Sequence, residues 1–267
     1  MLQYDFNKWS NLAQKQDFHP ICQEDVKWLA DNTVSPDKSG DNQISGFVKR
    51  LRQDTSLTSD QLAEMLTEIQ DLIEQYPRNT MYLCKSNGMF EVIALICSHE
   101  NKQVRKLACS ILSATTANQP EIQAYATKSG ALNLTKLVQQ ESNQDMKEAF
   151  LTSLSQFLKA NNFDGKKLFV RDFSGLDTMS KLVCDDHASL RLKKRALFLL
   201  SDLLAYDEHI MGTSFFVRTF FTHRNDVIDQ VIRYVRESDL DFTPELQLRE
   251  YSLNILYYLY LQDKEKL

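Results

Sequence analysis

Glycine and proline are scarce in this chain, seven and five among 267 residues. A many-stranded β fold needs far more turn-forming punctuation, so helices are the economical expectation. No run of about 18 apolar residues occurs, and the opening Met1-Leu2-Gln3-Tyr4-Asp5-Phe6 has no basic stretch ahead of an apolar one. Neither a membrane span nor a secretory leader is expected from these signals. Cysteine is limited to Cys22, Cys84, Cys97, Cys109 and Cys184, an odd number at wide spacing. That usage fits reduced thiols of a cytosolic or nuclear protein better than a disulfide framework. An excess of positive charge is missing too. The formal net charge of -5 argues against nucleic-acid binding, which needs clustered Lys and Arg to displace counterions from phosphates.

The chain does have apolar residues, 43% of the total, beside an ordinary 25% of charged ones, enough to bury a continuous core. One phrase recurs three times: Ser86-Asn87-Gly88-Met89-Phe90, then Ser129-Gly130-Ala131-Leu132, then Ser174-Gly175-Leu176-Asp177. The three glycines stand 42 and 45 residues apart, within the period of about 40–47 residues typical of armadillo and HEAT repeats. Each glycine is expected at a sharp helix junction, where positive φ and close backbone approach are useful. An amphipathic helix follows it, then a polar joint and a longer helix: Val104 to Ala117, Met146 to Lys159, Leu192 to Ala205. The last of these carries Leu197, Leu199, Leu200, Leu203 and Leu204, a face that stacked neighbours must cover.

The expected architecture is therefore all-α, an armadillo-repeat right-handed α-solenoid with capping helices at both ends. Residues 1–60 form an N-terminal helical segment, with helices around Trp9 and Trp28 and a polar loop near 35–43. About four repeats follow (61–97, 98–140, 141–184, 185–238), and 239–267 closes the chain as a capping helix. Residues Leu62 to Tyr76 lead into the first glycine joint, and Asn225 to Val235 belong to a degenerate last repeat.

Reactive constellations are missing. His19, His99, His187, His209 and His223 are single and scattered, with no ligand partner three or four residues away, so no metal site is expected. No cysteine sits in a nucleophile signature, and no phosphate-binding glycine loop occurs. Asp185-Asp186 reads as a solvated joint. Catalytic residues and cofactors are not expected, and the chain is read as a binding protein rather than an enzyme.

The long third helices of such a solenoid usually line its inner wall. With Ser113, Ser155 and Ser201 taken as equivalent, their polar sides fall into rungs. These are Lys106, Glu148 and Lys194; Ser110, Thr152 and Phe198; Ala114, Gln156 and Asp202; and Ala117, Lys159 and Ala205. This mixture of charge, hydroxyl and one aromatic suits protein recognition, although Phe198 packing within its own repeat is an equal alternative. The basic run Arg191-Leu192-Lys193-Lys194-Arg195 is either a solvated helix face or a patch.

These residues resemble a known family, the armadillo-type nucleotide-exchange factors of the 70-kDa heat-shock chaperones. Phe6-Asn7-Lys8-Trp9-Ser10 and Glu24-Asp25-Val26-Lys27-Trp28-Leu29 resemble its amino-terminal segments, and Met65 to Glu74 with Met81 to Gly88 the approach to its first repeat. The most specific string runs from Arg105 to Gln123, where Ala108, Ile111, Leu112, Asn118, Pro120 and Gln123 fall as in the family. Leu192 to Leu204 is similar to its Lys-rich, Phe-Leu-Leu helix. Departures are Arg78-Asn79-Thr80, where the family has Asp-Asn-Ala, Leu112-Ser113-Ala114 for Ile-Gly-Thr, and Ala149 for Lys.

The resemblance implies a monomeric cytoplasmic or nuclear co-chaperone. Its wall would grip the ATPase domain of a 70-kDa heat-shock chaperone and promote ADP release. The expected gripping residues are Lys106, Ala108, Ser110, Asn118, Glu148, Thr152, Gln156, Lys194, Arg195, Phe198 and Asp202. The rival reading is a scaffold or adaptor that holds an extended peptide in the same groove. Peptide-clamping armadillo proteins present repeated Asn and Trp there, and this ladder has no Trp.

Overall fold

Helices follow one another without a strand in the computed structural model, which describes residues 38–54, 56–159, 162–205, 213–237 and 243–263. Within these residues lie α1 (Lys38–Gln53), α2 (Ser59–Gln75), α3 (Asn79–Lys85), α4 (Gly88–Ser98), α5 (Lys102–Thr116) and α6 (Pro120–Lys128). A 3-10 turn (Ala131–Asn133) leads into α7 (Leu134–Gln140), followed by α8 (Gln144–Leu158), α9 (Phe163–Arg171), α10 (Gly175–Cys184) and α11 (Leu190–Ala205). The last are α12 (Thr213–Thr222), α13 (Asn225–Glu237) and α14 (Thr243–Asp263). From Gly40 onward they belong to one compact unit. The segments around Trp9 and Trp28, with Cys22 and His19, lie outside the described residues, as does His209.

The helices group in threes, α3–α5, α6–α8, α9–α11 and α12–α14, and the third members pack side by side behind α2, in the order α2, α5, α8, α11, α14. Their apolar faces meet in one continuous core. Leu66 and Ile69 of α2, Ala108 and Ile111 of α5, Phe150 and Leu154 of α8, Ala196 and Leu199 of α11, and Ile255 of α14 are all fully buried. No single triad could hide such a face, so stability arises from stacking.

Several boundaries differ from the periodicity, for local reasons. The third helices begin two residues before their first core residue because a polar side chain caps each one. Asn101 Oδ1 accepts from Gln103 and Val104 N–H, Asn143 Oδ1 from Met146 N–H, and Ser189 Oγ from Leu192 N–H. Similarly, α2 starts at Ser59 under a reciprocal capping box between Thr58 and Gln61. The polar stretch expected as a loop near 35–43 is already helical from Lys38. Core residues Ile44 and Val48, with Phe47 and Leu51 beside them, follow at three- and four-residue spacing, and that stripe carries the preceding polar turn into the helix. Helix α14 packs along α11 as α11 packs along α8, so it is the third helix of a fourth triad.

The glycine joints differ from the expectation of positive φ at each glycine. Only Gly130 has positive φ (+91°); in the other two joints the residue before the glycine takes the left-handed conformation, Asn87 (φ 60°) and Ser174 (φ 52°). Gly88 and Gly175 open helices instead, and close approach is what they supply. A Cβ on Gly88 would lie 2.5 Å from Leu83 Cδ1 and 2.6 Å from Val48 Cγ2, and one on Gly175 would overlap the Phe169 ring. The structural equivalents are thus Asn87, Gly130 and Ser174, spaced 43 and 44 residues apart, a more regular period than the glycines themselves suggest.

Candidate functional site

Each third helix turns Val104, Met146 or Leu192 into the core, which aims the residues two positions later, Lys106, Glu148 and Lys194, toward the opposite side. The register taken from Ser113, Ser155 and Ser201 matches the aligned caps Asn101, Asn143 and Ser189. Two adjoining grooves run along this wall. One, of about 550 Å³, lies between α5 and α8 and is lined by Lys106, Ser110, Ser113, Asp145, Glu148 and Thr152, with Arg191 at its edge. The other, of about 600 Å³, lies among α8, α11 and α14, lined by Glu148, Thr152, Gln156, Lys159, Arg191, Lys194, Arg195, Phe198, Gln247 and Tyr251.

Polar contacts organise the wall. Lys106 Nζ lies 3.7 Å from Asp145 Oδ2. Glu148 is held from two sides, accepting from Ser189 Oγ at 2.6 Å and facing Arg191 Nη1 at 3.8 Å. Lys194 Nζ donates to Gln247 Oε1 at 2.9 Å. Phe198 meets Tyr251 edge to face with centroids 5.5 Å apart, so its ring packs across to α14 rather than inside its own repeat, while still lining the groove. Beneath the wall, the Ser113 and Ser153 hydroxyls lie 2.9 Å apart between α5 and α8, and each is within hydrogen-bond reach of Cys109 O.

Eight of the residues expected from the sequence therefore come together: Lys106, Ser110, Glu148, Thr152, Gln156, Lys194, Arg195 and Phe198. Three do not. Ala108 is fully buried in the core, where no partner can touch it. Asp202 pairs with Lys166 of α9 at 2.7 Å. Eight residues beyond Lys194 an α-helix has turned about 80°, which carries this short side chain off the wall, whereas the longer Gln156 of the same rung still reaches it. Burial lowers the Lys166 pKa, and the Asp202 carboxylate opposes that shift.

Asn118 sits at the joint between α5 and α6 with φ 56°. It belongs to a structural device. Asn118 makes the left-handed turn, Pro120 opens α6 at its first position, and the buried Gln123 donates from Nε2 to Thr116 O at 3.0 Å and to Lys159 O at 3.1 Å. One amide thus closes the carboxyl end of α5 and ties it to that of α8. Asn79 likewise closes the carboxyl end of α2 through Leu72 O, and Asn162 that of α8 through Phe157 O. The string that looked most specific in the sequence is largely the grammar of the repeat junction.

Arg191, Lys159, Gln247 and Tyr251 are wall residues not selected from the sequence. Arg191 begins the basic run, and Lys159 stood in the fourth rung. Gln247 and Tyr251 escaped notice because their partners Lys194 and Phe198 lie 53 residues earlier, well outside the period of the preceding repeats.

Two buried thiols are unsuited to nucleophilic chemistry. Burial pushes the Cys109 thiol up to about 12 and the Cys84 thiol to about 11, away from the thiolate a nucleophile needs. Among the described residues no group of three or more His, Cys, Asp or Glu is placed to hold a metal ion. No helix among them is long and apolar enough to cross a membrane.

A wall of stacked third helices with polar grooves is suited to binding another molecule. The SIL1/FES1/HPBP1 C-terminal domain matches residues 79–225, just over half of the chain. The protein belongs to the SIL1/FES1/HPBP1 family. The matched segment runs from the first residue of α3 to the first of α13, and so contains the wall helices α5, α8 and α11. In this member of the SIL1/FES1/HPBP1 family, α2 and α14 extend the wall beyond the matched domain. No curated protein matches the sequence.

Among solved structures, ARO, the armadillo repeats only protein from Plasmodium falciparum, is similar over 84% of this chain and 98% of its own, with a TM-score of 0.61 and 20% identity. A designed armadillo repeat protein in complex with peptide (KR)4 is similar over 81% of this chain and 99% of its own (TM-score 0.57, 11% identity). An engineered protein covers 82% of this chain and 79% of its own (TM-score 0.64, 14% identity). At such identities the likeness establishes the fold, an armadillo-type solenoid.

Proposed function

We propose that this SIL1/FES1/HPBP1-family protein is a co-chaperone whose third-helix wall binds the ATPase domain of a 70-kDa heat-shock chaperone and promotes release of ADP. The observation that carries this reading is that the family match, residues 79–225, includes all three central wall helices. The family is known for nucleotide exchange on such chaperones. No nucleotide touches the solenoid in this mechanism. The wall binds the open or distorted ATPase domain more tightly than the closed one, and only that difference in affinity drives ADP out. A tenfold preference corresponds to about 1.4 kcal/mol, within reach of a few contacts to Lys106, Ser110, Glu148, Thr152, Gln156, Lys194, Arg195 and Phe198. The protein acts as a monomer in the cytosol or nucleus and is not an enzyme.

Stopped-flow release of a fluorescent ADP from a cytosolic 70-kDa chaperone is the test. Added protein accelerates release, and Phe198→Ala, which removes an aromatic anchor from the groove, weakens the effect about tenfold or more. Release unchanged at saturating protein refutes the reading. The alternative, a scaffold for an extended peptide, is supported by the fold, since a structurally similar designed protein is in complex with peptide (KR)4.

A further inference from the structure

We infer that the groove among α8, α11 and α14 receives an acidic, carboxylate-bearing segment of the protein partner, with an apolar side chain of that segment laid against Phe198 and Tyr251. The proposal rests on the wall being the partner-facing surface, as in the exchange reading. It adds the chemistry of what docks there.

Charge is distributed unevenly along the wall. Four cations, Lys159, Arg191, Lys194 and Arg195, share this groove with one carboxylate, Glu148. Glu148 is already engaged by Ser189 and Arg191. Among the described residues no carboxylate pairs with Arg195 or Lys159, and Lys194 meets only the neutral Gln247. In the neighbouring groove Lys106 and Arg191 are balanced by Asp145 and Glu148, so the positive excess is confined to the carboxyl-terminal end. That excess stands in a chain whose formal net charge is -5.

Lys159, Lys194 and Arg195, without a carboxylate and half-solvated, raise the local concentration of anions and are suited to charge-assisted hydrogen bonds with carboxylates. The edge-to-face pair Phe198–Tyr251 adds an apolar floor, the kind of feature that anchors a side chain rather than a free ion. A long polyanion fits poorly, because the opposite end of the wall is acidic. Glu64, Glu68 and Asp71 are exposed on α2, and Glu64 occupies the position on α2 that Lys106 occupies on α5. The wall thus selects a short acidic segment and orients it with its carboxylates toward α11.

The experiment measures fluorescence anisotropy of a labelled peptide alternating Asp and Leu with the full-length protein, beside a peptide alternating Lys and Leu. The acidic peptide binds, and its affinity falls between 0.05 and 0.5 M NaCl as screening shortens the reach of the charges. Reversing two cations in Arg191→Glu/Arg195→Glu weakens it about tenfold or more and lets the Lys-Leu peptide bind instead. That exchange of preference shows the variant to be folded. The proposal is overturned if the Lys-Leu peptide binds the wild type as tightly, if the double variant keeps its affinity for the acidic peptide, or if an RNA oligonucleotide binds more tightly than either peptide. ADP-release measurements separate the two readings. Full acceleration by the double variant leaves exchange standing and sinks this proposal, whereas no acceleration by the wild type sinks exchange while the peptide arm still decides this one.

Discussion

Replacing Gln123 by Met tests whether the Asn118-to-Gln123 string is structural. The substitution keeps a long unbranched side chain and removes the amide that donates to Thr116 O and Lys159 O. Thr116 is fully buried, and its carbonyl keeps only a long 3.4 Å bond from Gln119 N–H, a loss of about 1–2 kcal/mol. Lys159 is partly exposed, and water can replace the amide at its carbonyl, limiting that loss to about 0.5–1 kcal/mol. In the other direction, Gln123 Oε1 is buried with no hydrogen-bond partner, and removing it returns about 1 kcal/mol. The net expectation is a destabilisation of about 0.5–2 kcal/mol, a fall in Tm of roughly 1–8 °C for a chain of this size. Urea denaturation followed by far-ultraviolet circular dichroism measures it, alongside ADP release at a temperature where both proteins are folded. The expected pattern is a lower urea midpoint with unchanged chaperone affinity. An unchanged midpoint refutes the bridging role, and lost affinity at unchanged stability would put Gln123 on the binding surface instead.

Gly175→Ala is expected to cost about 1–3 kcal/mol because its Cβ meets the Phe169 ring, whereas Gly46→Ala, with nothing within 4 Å in the middle of α1, stabilises by about 0.5–1 kcal/mol; paired urea titrations check the contrast. Ala108→Arg puts a long charged side chain into a fully buried site, so binding and the cooperative helical melt are lost together; lost binding with an intact melt would contradict its place in the core. The Cys109 thiol stays protonated in the folded state up to about 12, while an unfolded thiol ionises near about 8.5. Its contribution to stability is therefore complete below that lower value and declines as the pH rises toward 12. Cys109→Ala accordingly shows a shallower fall in stability between pH 9 and 11 than the wild type, measured by urea midpoint against pH, with Cys84, Cys97 and Cys184, whose thiols burial also raises, contributing to the remainder.

The placement of Ser113, Ser155 and Ser201 on equivalent turns needed only the sequence, because the 3.6-residue period and matching core positions define which side of each helix is apolar. The same local rules gave the period near 43, the third helices and eight of the wall residues. They failed where a contact is made to another helix. Ala108, four residues after Val104, falls on the core side by that same period, whereas Asp202 shares the spacing of wall residues and its pairing with the Lys166 ammonium on α9 decides where it points. Gln247 and Tyr251 are distant in sequence from the residues they meet, and their spacing breaks the period, so no linear pattern marks them. What the amino-acid order determined by itself was the all-helical repeat and its polar stripe, because these depend on neighbours a turn or two away. Which cations remain without a carboxylate, and that α14 completes their groove, depends on helices brought together across 40 to 60 residues of chain, and only the tertiary structure decides it.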